Sequence, residues 1–318
     1  MPNALPEAAV ERFRGDLEKL IPAHEARLLG VAVSGGPDSL ALLLLCNAAF
    51  PGQTLAATVD HQLRAESSAE ARYVADICAS LGIRHTTLLP SAPISGSIQS
   101  AARAARYALL EGWARGNGIT AILTAHHADD QAETLLMRLN RGAGIGGLAG
   151  VRAVNGQILR PLLHWRRHEL AEIVVAAGIE PVSDPSNDDD RFDRVRIRKA
   201  IASSDWLDPI AMARSAAAQA ESDDALGWME DRLFAERGRR SDESLCLSDP
   251  ESLPPELQRR LLIRCIRTLD AEWQSNGPDI QRLAETLRSG GKASIGRLIV
   301  RVTPDSWEFA PAPPRRKN

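Results

Sequence analysis

Two short stretches of the chain concentrate groups that could do chemistry. The first, SGGPDS at residues 34–39, lies in VAVSGGPDSLALLLL, between a short apolar run and a leucine-rich segment. Glycine permits positive φ and close backbone approach. The first N–H groups of a helix have no partners within it, so an anion is favoured there. A turn of this kind cradles phosphate, and Ser39 can add a hydroxyl donor. The lysine of a Walker-type loop, which reaches the β- and γ-phosphates, is missing. Asp38 would repel phosphate unless it serves a cation, such as Mg2+, or a substrate amine.

The second stretch is HHADDQAET, residues 126–134. If a helix starts near Ala128, Asp130 and Glu133 stand one turn apart on one face, and Leu135, Leu136 and Leu139 give its core side. Acidic residues at a helix start also balance the helix dipole, which is reason enough for Asp129. Oxygen ligands suit Mg2+, held by one or two carboxylates with substrate phosphates. Adjacent histidines on a strand point to opposite faces, so His126 and His127 do not suggest a shared transition-metal site.

Both stretches need a strand that ends in a helix. Apolar runs at residues 28–34, 55–60, 84–90 and 121–126 read as strands. Helical patterns fill 67–81, 97–117 and the residues after 128. This alternation predicts a mostly parallel, doubly wound α/β sheet covered on both faces. Ligands in such sheets bind beyond the carboxyl ends of the strands, where both stretches fall. QILRPLL reads as a last strand and RRHELAEIVVAAG as a helix ending at Gly178. After a turn-rich break the remainder reads as mainly helical, closing on two strand-like runs, ASIGRLIVRVT and SWEFAP. The expected division is a nucleotide-binding domain over residues 1–205, a smaller mainly helical domain over 206–310 and a disordered tail over 311–318.

At 318 residues, 44% hydrophobic and with net charge -3, the chain has globular composition and room for two domains. No apolar run is long enough to span a bilayer. The amphipathic N-terminus does not read as a signal peptide. Cys46, Cys78, Cys246 and Cys265 form no C-x-x-C pair, which suits free thiols in a reducing compartment. The cytoplasm is the expected location.

Ser-Gly-Gly-x-Asp-Ser on a strand-to-helix turn resembles the PP-loop of the ATP pyrophosphatases, whose fold is of the adenine nucleotide alpha hydrolase-like type. DHQLR (60–64), AARAARY (101–107), TAHHADDQAETLLMRLNRGAGIGGLAG (124–150), LRPLL (159–163) and DPSNDDDRFDRVRIR (184–198) narrow the resemblance. Together they make the chain similar to the bacterial tRNA(Ile)-lysidine synthases. That resemblance implies an ATP-dependent ligase that joins L-lysine to C2 of the wobble cytidine in the CAU-anticodon isoleucine tRNA. The cytidine is adenylated first, with release of diphosphate; lysine then displaces AMP.

The resemblance also implies roles for residues. Ser34, Gly35, Gly36, Pro37, Asp38, Ser39, Asp60, His61 and His126 would meet ATP, with Mg2+ on Asp38. Asp130 and Glu133 would bind the lysine ammonium and Arg106 its carboxylate. Asp38, Asp130, Glu133 and Arg106 are the catalytic set, and the general base is left open among the three carboxylates. Arg138, Arg141, Arg194, Arg196 and Arg198 would contact tRNA, and a homodimer is compatible with the sequence. Two positions depart from the family pattern: Gln62 replaces a glycine, and Val195 an asparagine after Arg194. Two alternatives stand beside this reading. The 2-thiocytidine synthetases and 2-thiouridylases need cysteines that have no counterpart here. A non-catalytic tRNA-binding relative would not need Asp38, Asp130 and Glu133 together.

Overall fold

The computed structural model describes residues 3–21, 28–62, 67–90, 98–182, 189–274 and 277–312. Residues 63–64 and 184–188 of the segments above, and 313–318 of the tail, lie outside these. Packing divides the chain into two units, 1–220 and 221–318.

The first unit opens with α1 (Glu7–Glu18), β1 (Leu29–Ala32), α2 (Pro37–Ala49), β2 (Thr54–Val59), α3 (Ser67–Ser80), β3 (Arg84–Leu88), α4 (Ile98–Asn117) and β4 (Ala121–Leu123). It continues with α5 (Ala128–Asn140), α6 (Ile145–Leu148), β5 (Val154–Asn155), β6 (Ile158–Leu159), α7 (Arg167–Ala177) and α8 (Asp193–Ala202). Among the described residues the sheet runs β3-β2-β1-β4-β6-β5, parallel except for β5, which forms a short antiparallel pair with β6. The chain winds outward from β1 to β3, then returns through α4 to place β4 on the other side of β1. The strand order therefore reverses between β1 and β4, and the crevice expected at such a point opens there.

Helices cover both faces, as the alternating pattern predicts. On one face α1, α2, α3 and α7 bury Phe13, Leu17, Leu40, Leu43, Val74 and Leu170. α2 is apolar on all sides because it is enclosed: Leu40, Leu42, Leu43 and Leu45 have no exposed surface. A helix hydrophobic all round belongs inside a core. On the other face α4 sets Leu110, Trp113 and Ala114 against Leu55, Ala57 and Ile122. α4 lies so close to the central strand that a Cβ on Gly30 would come within 2.7 Å of the Trp113 ring. Glycine in a strand often marks such an approach.

The break between units falls at 220–221, inside α9 (Pro209–Arg237), and not at 206–209. The first turns of α9 belong to the α/β unit, where Ala213 and Ala216 are buried and Arg152 donates to the Ala220 carbonyl at 2.7 Å.

The second unit contains more strand than the sequence suggested. After α9 come β7 (Gly238–Ser241), β8 (Ser244–Ser248), α10 (Pro255–Leu269), α11 (Gly277–Arg288), β9 (Lys292–Ile295), β10 (Leu298–Thr303) and β11 (Ser306–Pro311). Among the described residues these strands form an antiparallel sheet, β7-β8-β11-β10-β9. Its inner face, with Leu245, Leu247, Val300, Trp307 and Phe309, packs on Leu261, Leu262 and Ile266 of α10 and on Leu283 and Leu287 of α11.

Candidate active site

The glycine turn leaves β1 and enters α2. Gly35 sits at φ 88 and accepts the Val182 N–H at 2.9 Å. A Cβ there would lie 3.0 Å from Val182 and 3.3 Å from Val74, so both backbone angle and space require glycine. Gly36 is the N-cap in extended conformation, with no side chain capping the helix, which leaves N–H groups for a ligand. Ser39 has a different job from the expected donor. Its Oγ accepts the Ser34 N–H at 3.1 Å and donates to the Gly36 carbonyl at 3.0 Å, stapling the turn.

β4 ends beside this turn and delivers the acidic cluster at the start of α5. His127 is the N-cap, and its N–H donates to Asp130 Oδ2 at 3.1 Å. The His127 side chain is 3% exposed. Its Nε2 stands 3.4 Å from Asp38 Oδ2 and 3.5 Å from Asp130 Oδ2, and its Nδ1 stands 3.6 Å from Asp129 Oδ2. Burial opposes a charge on this ring, but Asp129, Asp38 and Asp130 outweigh it and push the pKa up to about 10. Asp129 also accepts the Arg167 N–H at 2.8 Å and pairs with Arg166 at 3.2 Å, so it ties α5 to the start of α7. Against its own burial, His127 and these donors hold its carboxyl well below the usual range. His126 faces the opposite way, with Nδ1 3.2 Å from Thr124 Oγ1. Burial, helped by nearby arginines, outweighs Asp130 and keeps His126 below its ordinary range.

The carboxylates of α5 meet α8. Arg194 donates to Glu133 Oε2 at 2.6 Å and to Asp130 Oδ1 at 2.8 Å, and Arg198 donates to Glu133 Oε1 at 2.7 Å. Glu133 is 1% exposed. Val195 is also buried, so the position of the family's asparagine is filled by a core side chain here.

A cavity of about 320 Å3 opens at the carboxyl ends of β1, β2 and β4. Of the residues expected from sequence, Ser34, Gly36, Asp38, Ser39, Arg106, His126, Asp130 and Arg194 line it. Arg106 is exposed and makes no hydrogen bond or ion pair among the described residues. Asp38 Oδ1 is buried and has no hydrogen-bond partner among the described residues. No group of three His, Cys, Asp or Glu able to hold a metal exists among the described residues. One carboxylate with a free oxygen, next to a phosphate cradle, nevertheless suits Mg2+, which takes most of its ligands from phosphates and water.

Arg103, Tyr107, Thr124 and Ala125 also line the cavity and were not anticipated. Arg103 and Tyr107 flank Arg106 on α4, and Arg103 stacks 5.1 Å from the Tyr107 ring. The spacing in AARAARY puts all three on adjoining turns, a signal the sequence did contain.

Other expected residues lie elsewhere. Asp60 is 4% exposed and accepts from Gln62 N, Ser67 Oγ and Ser68 Oγ at 2.7–2.9 Å, so its oxygens are engaged at the start of α3. The His61 ring nitrogens are buried without hydrogen-bond partners among the described residues. Arg138 donates to the Gly147 and Gly150 carbonyls, bracing the glycine-rich loop after α5. Arg141 and Arg196 both pair with Asp193. A larger groove in the second unit, about 550 Å3, is lined by Arg259, Arg260, Arg264 and Arg267. Three of these arginines are paired with Glu256, Asp223 and Asp231.

A glycine turn, an uncapped helix start and a crevice where strand order reverses define a PP-loop protein, and a family model described as a PP-loop domain matches residues 9–204. The chain is 47% identical to tRNA(Ile)-lysidine synthase of Novosphingobium aromaticivorans, over 98% of this chain and 96% of that one. It is 41% identical to the enzyme of the same name from Zymomonas mobilis, with the same coverages. The chain belongs to the tRNA(Ile)-lysidine synthase family. Among solved structures, the U34-tRNA thiolase NcsA from Methanococcus maripaludis shares the fold, with a TM-score of 0.56 at 14% identity, over 68% of this chain and 78% of that one.

Proposed function

We propose that the chain ligates L-lysine to C2 of the wobble cytidine of the CAU-anticodon isoleucine tRNA, forming a carbon–nitrogen bond at the expense of ATP. The modification would switch codon reading from AUG to AUA. The observation that carries this reading is the single cavity into which Asp38, Arg106, His126 and Asp130 converge beside the glycine turn.

In the first step the C2 oxygen of the cytidine attacks the α-phosphorus of ATP, and diphosphate leaves. The turn at residues 34–39 offers backbone N–H groups to the departing phosphates, and Arg103 and Arg106 add positive charge. Asp38, through its free Oδ1, is the residue that would hold Mg2+, which supplies further charge neutralisation when bound. His126 completes the nucleotide side of the cavity. In the second step the ε-amine of lysine attacks C2 and AMP leaves. Free lysine has a pKa near ~10.4 and must give up a proton before it attacks. Asp130 and Glu133 recognise the ammonium, one carboxylate of the site accepts the proton, and Arg106 pairs with the lysine carboxylate. Arg194 now occupies the place of the ammonium and has to yield to it. Arg138, Arg141, Arg196 and Arg198 lie along α5, the following loop and α8, as a positive approach for the anticodon arm, while the second unit, from residue 221, holds the rest of the tRNA. The enzyme would work in the cytoplasm, where its tRNA is.

Purified protein incubated with ATP, total tRNA and radiolabelled lysine tests the reading. Label entering one isoleucine tRNA, with AMP and diphosphate formed in equal amounts, is the expected result. Binding of tRNA without incorporation would favour a non-catalytic relative. Diphosphate release without lysine incorporation would favour another PP-loop modification.

A further inference from the structure

We infer that His127 is a shared positioning residue for both half-reactions: one buried ring holds Asp38, which serves adenylation, and Asp130, which serves lysine transfer. The inference rests on the proposed reaction and adds a residue to it that does not touch substrate.

The geometry is specific. Asp38 is the second residue of α2, and nothing on its own helix fixes its side chain. Its Oδ2 faces His127 Nε2 at 3.4 Å, while Oδ1 has no hydrogen-bond partner among the described residues. The ring thus determines which oxygen of Asp38 is left for a ligand. The same Nε2 lies 3.5 Å from Asp130 Oδ2, whose other oxygen meets Arg194. Asp130 Oδ2 also accepts the His127 N–H at 3.1 Å, so ring and backbone of one residue hold the carboxylate whose other oxygen Arg194 caps. On the far side, Asp129 faces Nδ1 at 3.6 Å and is itself anchored by Arg166 and the Arg167 N–H. Nδ1 makes no hydrogen bond among the described residues, so this carboxylate, fixed to a third helix, acts on the ring from behind through its charge.

His127 does not line the cavity, whereas Asp38 and Asp130 do. It acts through them. The two carboxylates come from segments on either side of the strand reversal, β1 into α2 and β4 into α5. A common partner keeps their separation constant while substrates exchange. A displacement of about 1 Å in a reacting group can lower a rate on the order of 10²-fold.

The test follows diphosphate release and lysine-dependent lysidine formation in parallel for His127→Asn, His127→Gln and Asp129→Asn, with melting temperatures. Folded His127→Asn should release diphosphate ~10-fold more slowly and also show a lysine KM raised ~10-fold. Asp38→Asn should alter chiefly the first parameter and Asp130→Asn chiefly the second. Asp129→Asn should move both parameters in the same direction, by less, since the ring remains but loses the charge behind it. Combined with His127→Asn it should add little. A folded His127→Asn that changes only one parameter, or only the melting temperature, overturns the inference. If that variant does not fold, unchanged kinetics in both His127→Gln and Asp129→Asn overturn it equally. Failure of the native chain to make lysidine would count against the reaction alone. The two contacts of His127 would then be read from diphosphate release and from the rise in melting temperature on adding lysine.

Discussion

Arg194 Nε donates to Glu133 Oε2 at 2.6 Å, and the carboxylate that receives it is 1% exposed. With Arg198 on its other oxygen, Glu133 is closed off by α8. A buried carboxylate of this kind binds two elements together. Both arginines keep access to water, so neutralising Glu133 weakens charge-assisted hydrogen bonds without stranding a buried charge. Glu133→Gln should lower unfolding free energy by on the order of 1–2 kcal/mol, measured by urea titration, along with any effect on lysine. A variant of native stability would show that the two arginines contribute nothing at this site.

On the proposed reaction Arg194 would also keep lysine from Asp130 and Glu133 until it is drawn away, with tRNA phosphate as the natural competitor. The native enzyme should bind lysine weakly without tRNA and more tightly with it. In Arg194→Ala that dependence should shrink. Calorimetric lysine titrations with and without tRNA give both numbers. Equal affinity in both conditions for the native chain would sink the idea.

Ser39→Ala removes the staple across the glycine turn, and Asp38→Asn weakens the only carboxylate there. Both should slow diphosphate release on the order of 10²-fold, the usual effect of displacing a positioning group by about 1 Å. Release from cytidine-containing tRNA at saturating ATP is the measurement. Normal rates in both variants would remove the turn from the adenylation step.

His127 and Asp60 set opposite ends of the pH–stability profile. The folded pKa of His127 is about 10 against an ordinary 6.5, so its contribution is complete below 6.5 and disappears as pH rises through about 10. Burial would raise Asp60, but Ser67, the Gln62 N–H and Ser68 hold it below its ordinary 3.8. Its contribution is present above 3.8 and is lost as pH falls through the lower folded value. Urea midpoints from acid to alkaline pH should fall at both ends. The alkaline fall should flatten in His127→Asn and the acid fall in Asp60→Asn.

A chain ending at residue 220 should fold and bind ATP yet modify tRNA poorly. One ending at 206 should melt earlier, because Ala213 and Ala216 of α9 are buried and the Arg152 bond to Ala220 is lost. Scanning calorimetry of the two fragments compares them directly.

The α/β unit is readable because its signals are local: apolar runs for strands, 3.6-residue spacing for helices and a glycine turn between them. The second unit is less so. GRRS and SLCLS are short and polar at their ends, and the period-two alternation of Leu245 and Leu247 covers only a few residues before Pro250 ends it. At the site, residue types at Ser34, Asp38 and Asp130 announce their chemistry. Contacts between distant segments do not. That His127 faces Asp38 follows from β4 lying next to β1, which no spacing along the chain encodes. Asp60 shows the converse, an acidic residue in a motif whose oxygens are engaged by neighbouring hydroxyls. Gln62 beside it adopts φ 55, a left-handed angle where a side chain costs roughly 1–2 kcal/mol. Its glycine counterpart in the family is explained by that angle.

The slot at Gly30 bears on how this protein can change over generations. A methyl group there collides with Trp113 at 2.7 Å and crowds Ile119 at 3.1 Å. Shrinking Trp113 first leaves a void beneath the central strand, at a penalty of about 3–5 kcal/mol for an aromatic cut to alanine. Either single step descends; only the pair restores a filled interior. Gly30 and Trp113 are thereby coupled, and a change at one position waits on a change at the other.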